Sequence, residues 1–257
     1  MARTRAFLLI VAVLLALSGC KAFFDFNAFS SLDKASVPNP SRYQGAGGLA
    51  NLQSDLASPA TVNALKGDPA TVNIILSNLD STYHVTTGPL TTPDQQTAAI
   101  LYSDLALKST SGDVLVNNIV SNILTQAPGN LASILQAIVP PDVAADITKF
   151  SAMVNGLLAA NTAYQVLGAT LVPASPPPGM NMGDVAQKAS VAYLMERVNA
   201  AVVGTVGAGS AMAEMFALVN NQPNSIASVI TTPANPLNPL PAWLKNIFDA
   251  AGAPYPA

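Results

Sequence analysis

Apolar side chains recur along this chain at the spacing of an α-helix, and that repetition limits the fold more than any other feature. Val72, Ile75, Leu76 and Leu79 stand at i, i+3, i+4 and i+7. The same spacing returns at Val116, Ile119, Val120, Ile123, at Leu131, Ile134, Leu135, Ile138 and at Met212, Met215, Phe216, Val219. A longer stripe runs through Val143, Ile147, Phe150, Val154, Leu157 and Leu158. Residues three and four apart share a helix face, so each set is one stripe that must be buried. No comparable stretch alternates with the period of two that a strand requires. The expectation is an all-α fold, either a multi-helix bundle or an irregular, helical-repeat-like array of about nine to eleven helices of about 8 to 20 residues.

The punctuation between the stripes agrees. Ser58-Pro59, Asp68-Pro69 and Thr92-Pro93 each place a side-chain acceptor at an N-cap and a pre-set φ at the first helical position, where the missing N–H costs nothing. Asp113, Asn130 and Asp184, which follow Gly112, Gly129 and Gly183, are candidate caps of the same kind. The pentapeptide Pro-Ala-Thr-Val-Asn occurs at 59–63 and again at 69–73, but no period of about 20 to 50 residues marks a solenoid. Two proline-rich breaks are larger. The one from Val172 to Gly179 is expected to allow a subdivision of the helical region near 173–183, and the one from Thr231 to Pro241 leads into a last helix. That helix carries Trp243, Leu244, Ile247 and Phe248 on one face, for docking on the body or for a partner.

Composition removes several functions. One Cys and one His leave neither a zinc site of the usual kind nor a disulfide framework. A net charge of −3 with no basic stretch disfavours nucleic acid, whose binding needs clustered Lys and Arg. No cofactor or metal is expected. The run from Phe150 to Val172 is uncharged and long enough on paper to span a bilayer. Asn155, Asn161, Thr162 and Gln165 interrupt it, so a buried helix is the better reading.

The chemistry-bearing residues each have a bland reading that outweighs the active one. His84 lies four residues after Asp80, within sharing distance on a continuous helix, yet Ser81-Thr82-Tyr83-His84 reads as a helix end. Asp142 and Asp146 stand one turn apart, as paired acid and base carboxylates would, and also where negative charge offsets a helix dipole after Pro140-Pro141. Gly204 to Ser210 resembles a phosphate-cradling loop but lacks both a preceding strand and a following Lys. Close helix packing through small residues accounts for it better, and Ser210 has no nucleophile-elbow context. No catalytic residue is assigned.

The first 20 residues, MARTRAFLLIVAVLLALSGC, place Arg3 and Arg5 before a short apolar run, the form of a secretory signal. Leu17-Ser18-Gly19-Cys20 resembles the lipobox of bacterial lipoproteins. That resemblance implies a signal peptide at 1–19, a diacylglyceryl group on the Cys20 thiol, cleavage before Cys20 and acylation of the new amine. Two or more acyl chains anchor stably where one does not, since each buried methylene contributes about 0.8 kcal/mol. Lys21 stands where inner-membrane retention signals place Asp, which by the same resemblance favours the outer membrane, facing the periplasm. Residues 20–48 are then expected to be a lipidated, flexible tether, and 49–257 the helical domain. Phe23, Phe24, Phe26 and Phe29 either sit at the lipid interface or fold back onto the core.

The expected role is that of a lipid-anchored envelope component acting through a helical surface or groove in binding or assembly. Its expected partners are the membrane, through the lipid, and an envelope protein. The low charge and the abundance of Asn, Ser and Thr suit a hydrogen-bonding groove or a concave helical surface. The alternatives are a periplasmic carrier of a small apolar ligand or lipid and an envelope hydrolase. The carrier needs an apolar cavity, and the hydrolase needs Asp142, Asp146 or His84 in a cleft with a nucleophile.

Overall fold

The computed structural model describes residues 36–45, 47–125, 136–172, 175–222, 226 and 241–253, with the backbone alone for 120–125. Among them the fold is all-α, with no strand. A 3-10 turn at Pro40–Tyr43 precedes α1 (Gly48–Leu56), α2 (Pro59–Lys66), α3 (Pro69–Tyr83), α4 (Pro93–Ser109) and α5 (Gly112–Thr125). After the one-turn α6 (Pro141–Ala144) come α7 (Ile147–Thr170), α8 (Met182–Val206), α9 (Ala208–Val219) and α10 (Ala242–Ala250). Two helices exceed the expected lengths, α7 with 24 residues and α8 with 25, because neither contains an internal proline or an early cap.

The proline caps form as the sequence predicts. The Ser58, Asp68 and Thr92 side chains accept from the Thr61, Thr71 and Gln95 amides, and Gln95 reaches back to Thr92 to complete a capping box. The repeated pentapeptide is thereby explained: in each copy the proline opens a helix and the threonine amide meets the cap. Two other expected caps are corrected. α8 is capped by Asn181, whose Oδ1 accepts from Gly183 and Asp184, and Asp184 lies inside the first turn. Asp113 also lies inside its first turn, since the Ser111 carbonyl takes the Leu115 amide. Asn130 lies outside the described residues.

α4 and α7 run antiparallel through the centre and pack on each other more extensively than any other pair. Gly156 makes this possible, because a Cβ there would run into Thr110 Oγ1 and the Ala106 carbonyl. α1, α2, α3 and α5 gather around α4; α8 and α10 pack on α7, and α9 on α8. Val72, Ile75, Leu79, Val116, Ile119, Ile138, Val143, Phe150, Val154, Leu157, Met215 and Val219 of the stripes are buried. Each fully buried Leu, Ile, Val or Phe contributes about 1.5–3 kcal/mol. Ile147 departs from its stripe at 45 % exposure, since it opens α7 at the surface. Leu131, Ile134 and Leu135 lie outside the described residues.

One core joins the residues before and after the proline-rich break. Leu157 and Tyr164 of α7 and Val185 and Ala189 of α8 belong to the same buried cluster, so the expected subdivision near 173–183 does not divide the core. The boundary at Gly48 also moves. Tyr43 is 5 % exposed and donates from its hydroxyl to Asp55 Oδ2 at 2.9 Å, so the packed body includes the 3-10 turn. α10 docks as expected through Leu244, Ile247 and Phe248. A Cβ at Gly168 would overlap the Trp243 carbonyl, and the Gly168 carbonyl accepts from Asn246 Nδ2 at 2.8 Å.

α7 holds most of the uncharged stretch, from Phe150 onward, that sequence length alone would allow as a span. Its Phe150, Met153, Val154, Leu157, Ala160, Tyr164 and Leu167 are buried inside the fold. No single helix among the described residues is long and apolar enough to cross a membrane. α8 and α9 reach the length and hydropathy only together, and they meet at 115°.

Candidate functional site

α3 and α7 both pack on α4 and leave a groove between them. α4 runs antiparallel to each. Asp80, late in α3, acts on Tyr102, and Ser103 Oγ lies 3.4 Å from the Ala160 carbonyl while Gly156 faces Ala106 and Thr110. The two walls therefore run parallel. The groove encloses about 830 Å³. Ligand sites usually hold about 300–1,000 Å³.

Helical spacing selects the wall residues. On α3 they are Pro69, Val72, Asn73, Leu76, Ser77 and Asp80, which form one face. On α7 they are Thr148, Lys149, Ala152, Asn155, Gly156 and Ala159, whose small members leave the space open. Tyr102, Ala106 and Ser109 of α4 and its C-cap Thr110 make the floor, and Lys66, Ser111, Asp142 and Val143 close one end.

The walls are largely apolar but carry hydrogen-bonding groups with no protein partner among the described residues. Asn73, Ser77, Thr148 and Asn155 make no side-chain hydrogen bond there, and Lys66 makes neither a hydrogen bond nor an ion pair. Asp142 is paired with Lys149 at 3.7 Å, both well exposed. At the other end Asp80 Oδ1 accepts from the Thr86 amide at 3.1 Å and the Thr86 hydroxyl at 2.7 Å, leaving Oδ2 without a partner there. Burial pushes the Tyr102 phenol above its ordinary value, and the Asp80 charge adds to this.

A second polar assembly lies on the other side of α4 and α7. The Lys188 ammonium of α8 is held at 2.7 Å from Asp104 and 2.6 Å from Asp184, with 9 % of its side chain exposed. Burial alone would lower the Lys188 pKa; the two carboxylates outweigh it and raise the value, so the ammonium stays charged. Beside them Tyr164 is fully buried, its hydroxyl close to Ser103 but in no well-formed hydrogen bond, and Asn161 Oδ1 has no hydrogen-bond partner among the described residues. Burial raises the Tyr164 phenol well above its ordinary value, with the Asp104 charge contributing. Asp113 sits between the two regions; burial raises its carboxyl while Lys66, Lys108 and Lys188 pull it down.

Neither a family model, nor a curated protein, nor a solved structure matches the chain.

The structure separates most of the residues singled out in the sequence. His84 is the left-handed C-cap of α3, with φ 55° and its N–H on the Asp80 carbonyl, exposed and outside the groove lining. Asp146 is the N-cap of α7, accepting from Thr148 at 2.8 Å, while Asp142 lines the groove mouth. Asp80 and Asp142, read as members of different pairs, share the groove. The glycines between Gly204 and Ser210 do not mediate close packing, which corrects that reading: a Cβ at Gly204, Gly207 or Gly209 would meet nothing within 4 Å. Gly207, at φ 81°, forms the exposed corner between α8 and α9. Cys20 and the aromatic residues Phe23 to Phe29 lie outside the described residues.

Proposed function

We propose that this chain is a lipid-anchored binding component of a bacterial envelope, held through Cys20 and receiving its ligand or partner segment in the α3–α7 groove. The observation that carries the reading is a preformed, open groove of ligand size whose Asn73, Ser77, Thr148 and Asn155 side chains lack intramolecular partners among the described residues. Polar groups left unpaired in a concave, mostly apolar surface are what a ligand can satisfy, and such placement gives specificity. The anchor rests on the lipobox resemblance at Leu17 to Cys20, and Lys21 favours the outer membrane facing the periplasm. Confinement at a bilayer raises the effective concentration of a membrane partner, so a modest groove suffices.

Binding is favoured over catalysis because His84 stands outside the groove and Asp142 is engaged by Lys149. A carrier of a purely apolar molecule is disfavoured. Covering the unpaired amides and hydroxyls with hydrocarbon would cost about 1–3 kcal/mol for each one fully desolvated.

Two measurements test the reading. Labelling with radioactive palmitate and partition into a detergent phase should follow the wild-type chain and fail for Cys20→Ser; a wild-type chain that stays aqueous and unlabelled removes the anchor. A photo-crosslinking side chain at position 155, in cells, should give a discrete adduct that disappears when Ala152→Trp fills the groove. No adduct, or one indifferent to Ala152→Trp, removes the groove.

A further inference from the structure

The groove has a direction. At one end lies the Lys66 ammonium, in no hydrogen bond or ion pair among the described residues although its charge acts on Asp113, with the Asp142–Lys149 pair and the Ser109, Thr110 and Ser111 turn beside it. At the other end lies Asp80, with an uncommitted carboxylate oxygen over Tyr102. Pro69 and Asp80 are eleven residues apart on α3, which at 1.5 Å per residue is roughly 16 Å. An extended peptide advances about 3.3 Å per residue, so about five residues span that distance. Between the charged ends, Asn73 and Ser77 on one wall face Thr148 and Asn155 on the other, with Val72, Leu76, Ala152 and Ala159 among them. An amide side chain both donates and accepts, the two functions a peptide backbone presents in alternation.

Building on the binding role above, we propose that the α3–α7 groove holds a short peptide in extended form, its C-terminal carboxylate at Lys66 and its N-terminal ammonium at Asp80. The Asn73 and Asn155 amides hold its backbone, and small or apolar side chains rest on Val72, Leu76, Ala152 and Ala159. An alkyl chain of equal length matches the apolar walls but leaves the four wall hydrogen-bonding groups and both end charges unanswered. A free peptide answers all of them. Charge–charge contact at partly desolvated ends makes the termini the main discriminators.

The test is titration calorimetry on the full chain in detergent micelles, with the pentapeptide Ala-Val-Ala-Ser-Ala as probe in three forms: free at both ends, C-terminally amidated and N-terminally acetylated. The free form should bind, and each blocked form should bind about tenfold more weakly, the scale of one lost charge contact. Lys66→Met should weaken the free peptide and abolish the penalty for amidation while leaving the penalty for acetylation. Ala152→Trp, at an exposed position and with its helical circular dichroism unchanged, should abolish binding of all three. Equal affinity for the three forms, no binding at millimolar peptide, tighter binding of decanoate than of the free peptide, or full binding by Ala152→Trp would each overturn the proposal. If the crosslink at position 155 forms and is blocked by Ala152→Trp while every pentapeptide fails, the groove keeps its binding role and loses the peptide.

Discussion

α4 and α7 present opposite faces to two polar regions that have been resolved in opposite ways. Toward α8, Asp104, Lys188 and Asp184 are brought within hydrogen-bond distance with the ammonium buried and the carboxylates mostly so, and Tyr164 is buried beside them. Toward α3, Asn73, Ser77, Thr148 and Asn155 are left without intramolecular partners among the described residues, and the groove stays open. A sealed charge cluster is held by the fold, because losing one member strands the others away from water. An open polar wall costs the fold little, because water satisfies it until something displaces that water. Polarity inside a helical protein therefore does not by itself mark function; the decisive point is whether its hydrogen bonds are already made.

That contrast can be broken by mutation, and the largest effect belongs to the sealed side. Lys188→Met should lower unfolding stability by about 3–5 kcal/mol, measured by urea denaturation, since Asp104 and Asp184 would face each other without the cation. A loss below about 1 kcal/mol would show that water reaches the cluster and that the two regions differ less than their geometry says.

Asp113 tests the boundary between the regions. Burial raises its folded-state pKa above the unfolded value, so the folded state binds this proton more tightly. Its contribution is then fully present below the unfolded pKa and is lost as pH rises through the raised value. Asp113→Asn should accordingly raise the Tm at pH 7, by less than Lys188→Met costs, and the difference should vanish below the unfolded carboxylate pKa of about 3.9. A gain that persists unchanged at acid pH would mean that burial of charge is not the cause. Tyr164→Phe should change stability by no more than about 1 kcal/mol and without loss, because the hydroxyl makes no hydrogen bond for the fold to forfeit. The smallest effect is on the open side: Asn73→Ala with Asn155→Ala should leave stability within about 0.5 kcal/mol, as for exposed positions generally. A larger loss would make the groove wall a structural element after all.

Much of the fold was legible because its signals are local. A cap and its proline are adjacent, and a stripe closes within two turns, so Ser58, Asp68, Thr92 and the Val72 to Leu79 set could be read directly. The sites were less legible because their members come from distant helices. Asp184 and Lys188 are i,i+4 neighbours and visible in principle, but Asp104 is 84 residues from Lys188, and no spacing rule joins them. Asp184 follows a glycine and so looks like a cap, whereas Asn181 offers the same chemistry three residues earlier. The groove left a faint trace in the run of small residues Ala152, Gly156 and Ala159, which keep one face of α7 low. Composition alone suits a hydrogen-bonding groove or a concave helical surface and says nothing of its place. Asp80 and Asp142 show why: sequence spacing pairs each with a near neighbour, His84 and Asp146, while the groove joins them across α3 and α6.

Tyr43 gives the fold a mechanical address. Any pull along the chain before residue 40 meets the body first at this side chain, wedged into the core and fastened through its hydroxyl to Asp55, which Arg42 also approaches at 3.5 Å. The turn packs on both α1 and α3, so a load there divides between them and the fastening would have to shear before strain could spread to α4 and α7. A body leashed this way can be tugged without having its groove pried apart.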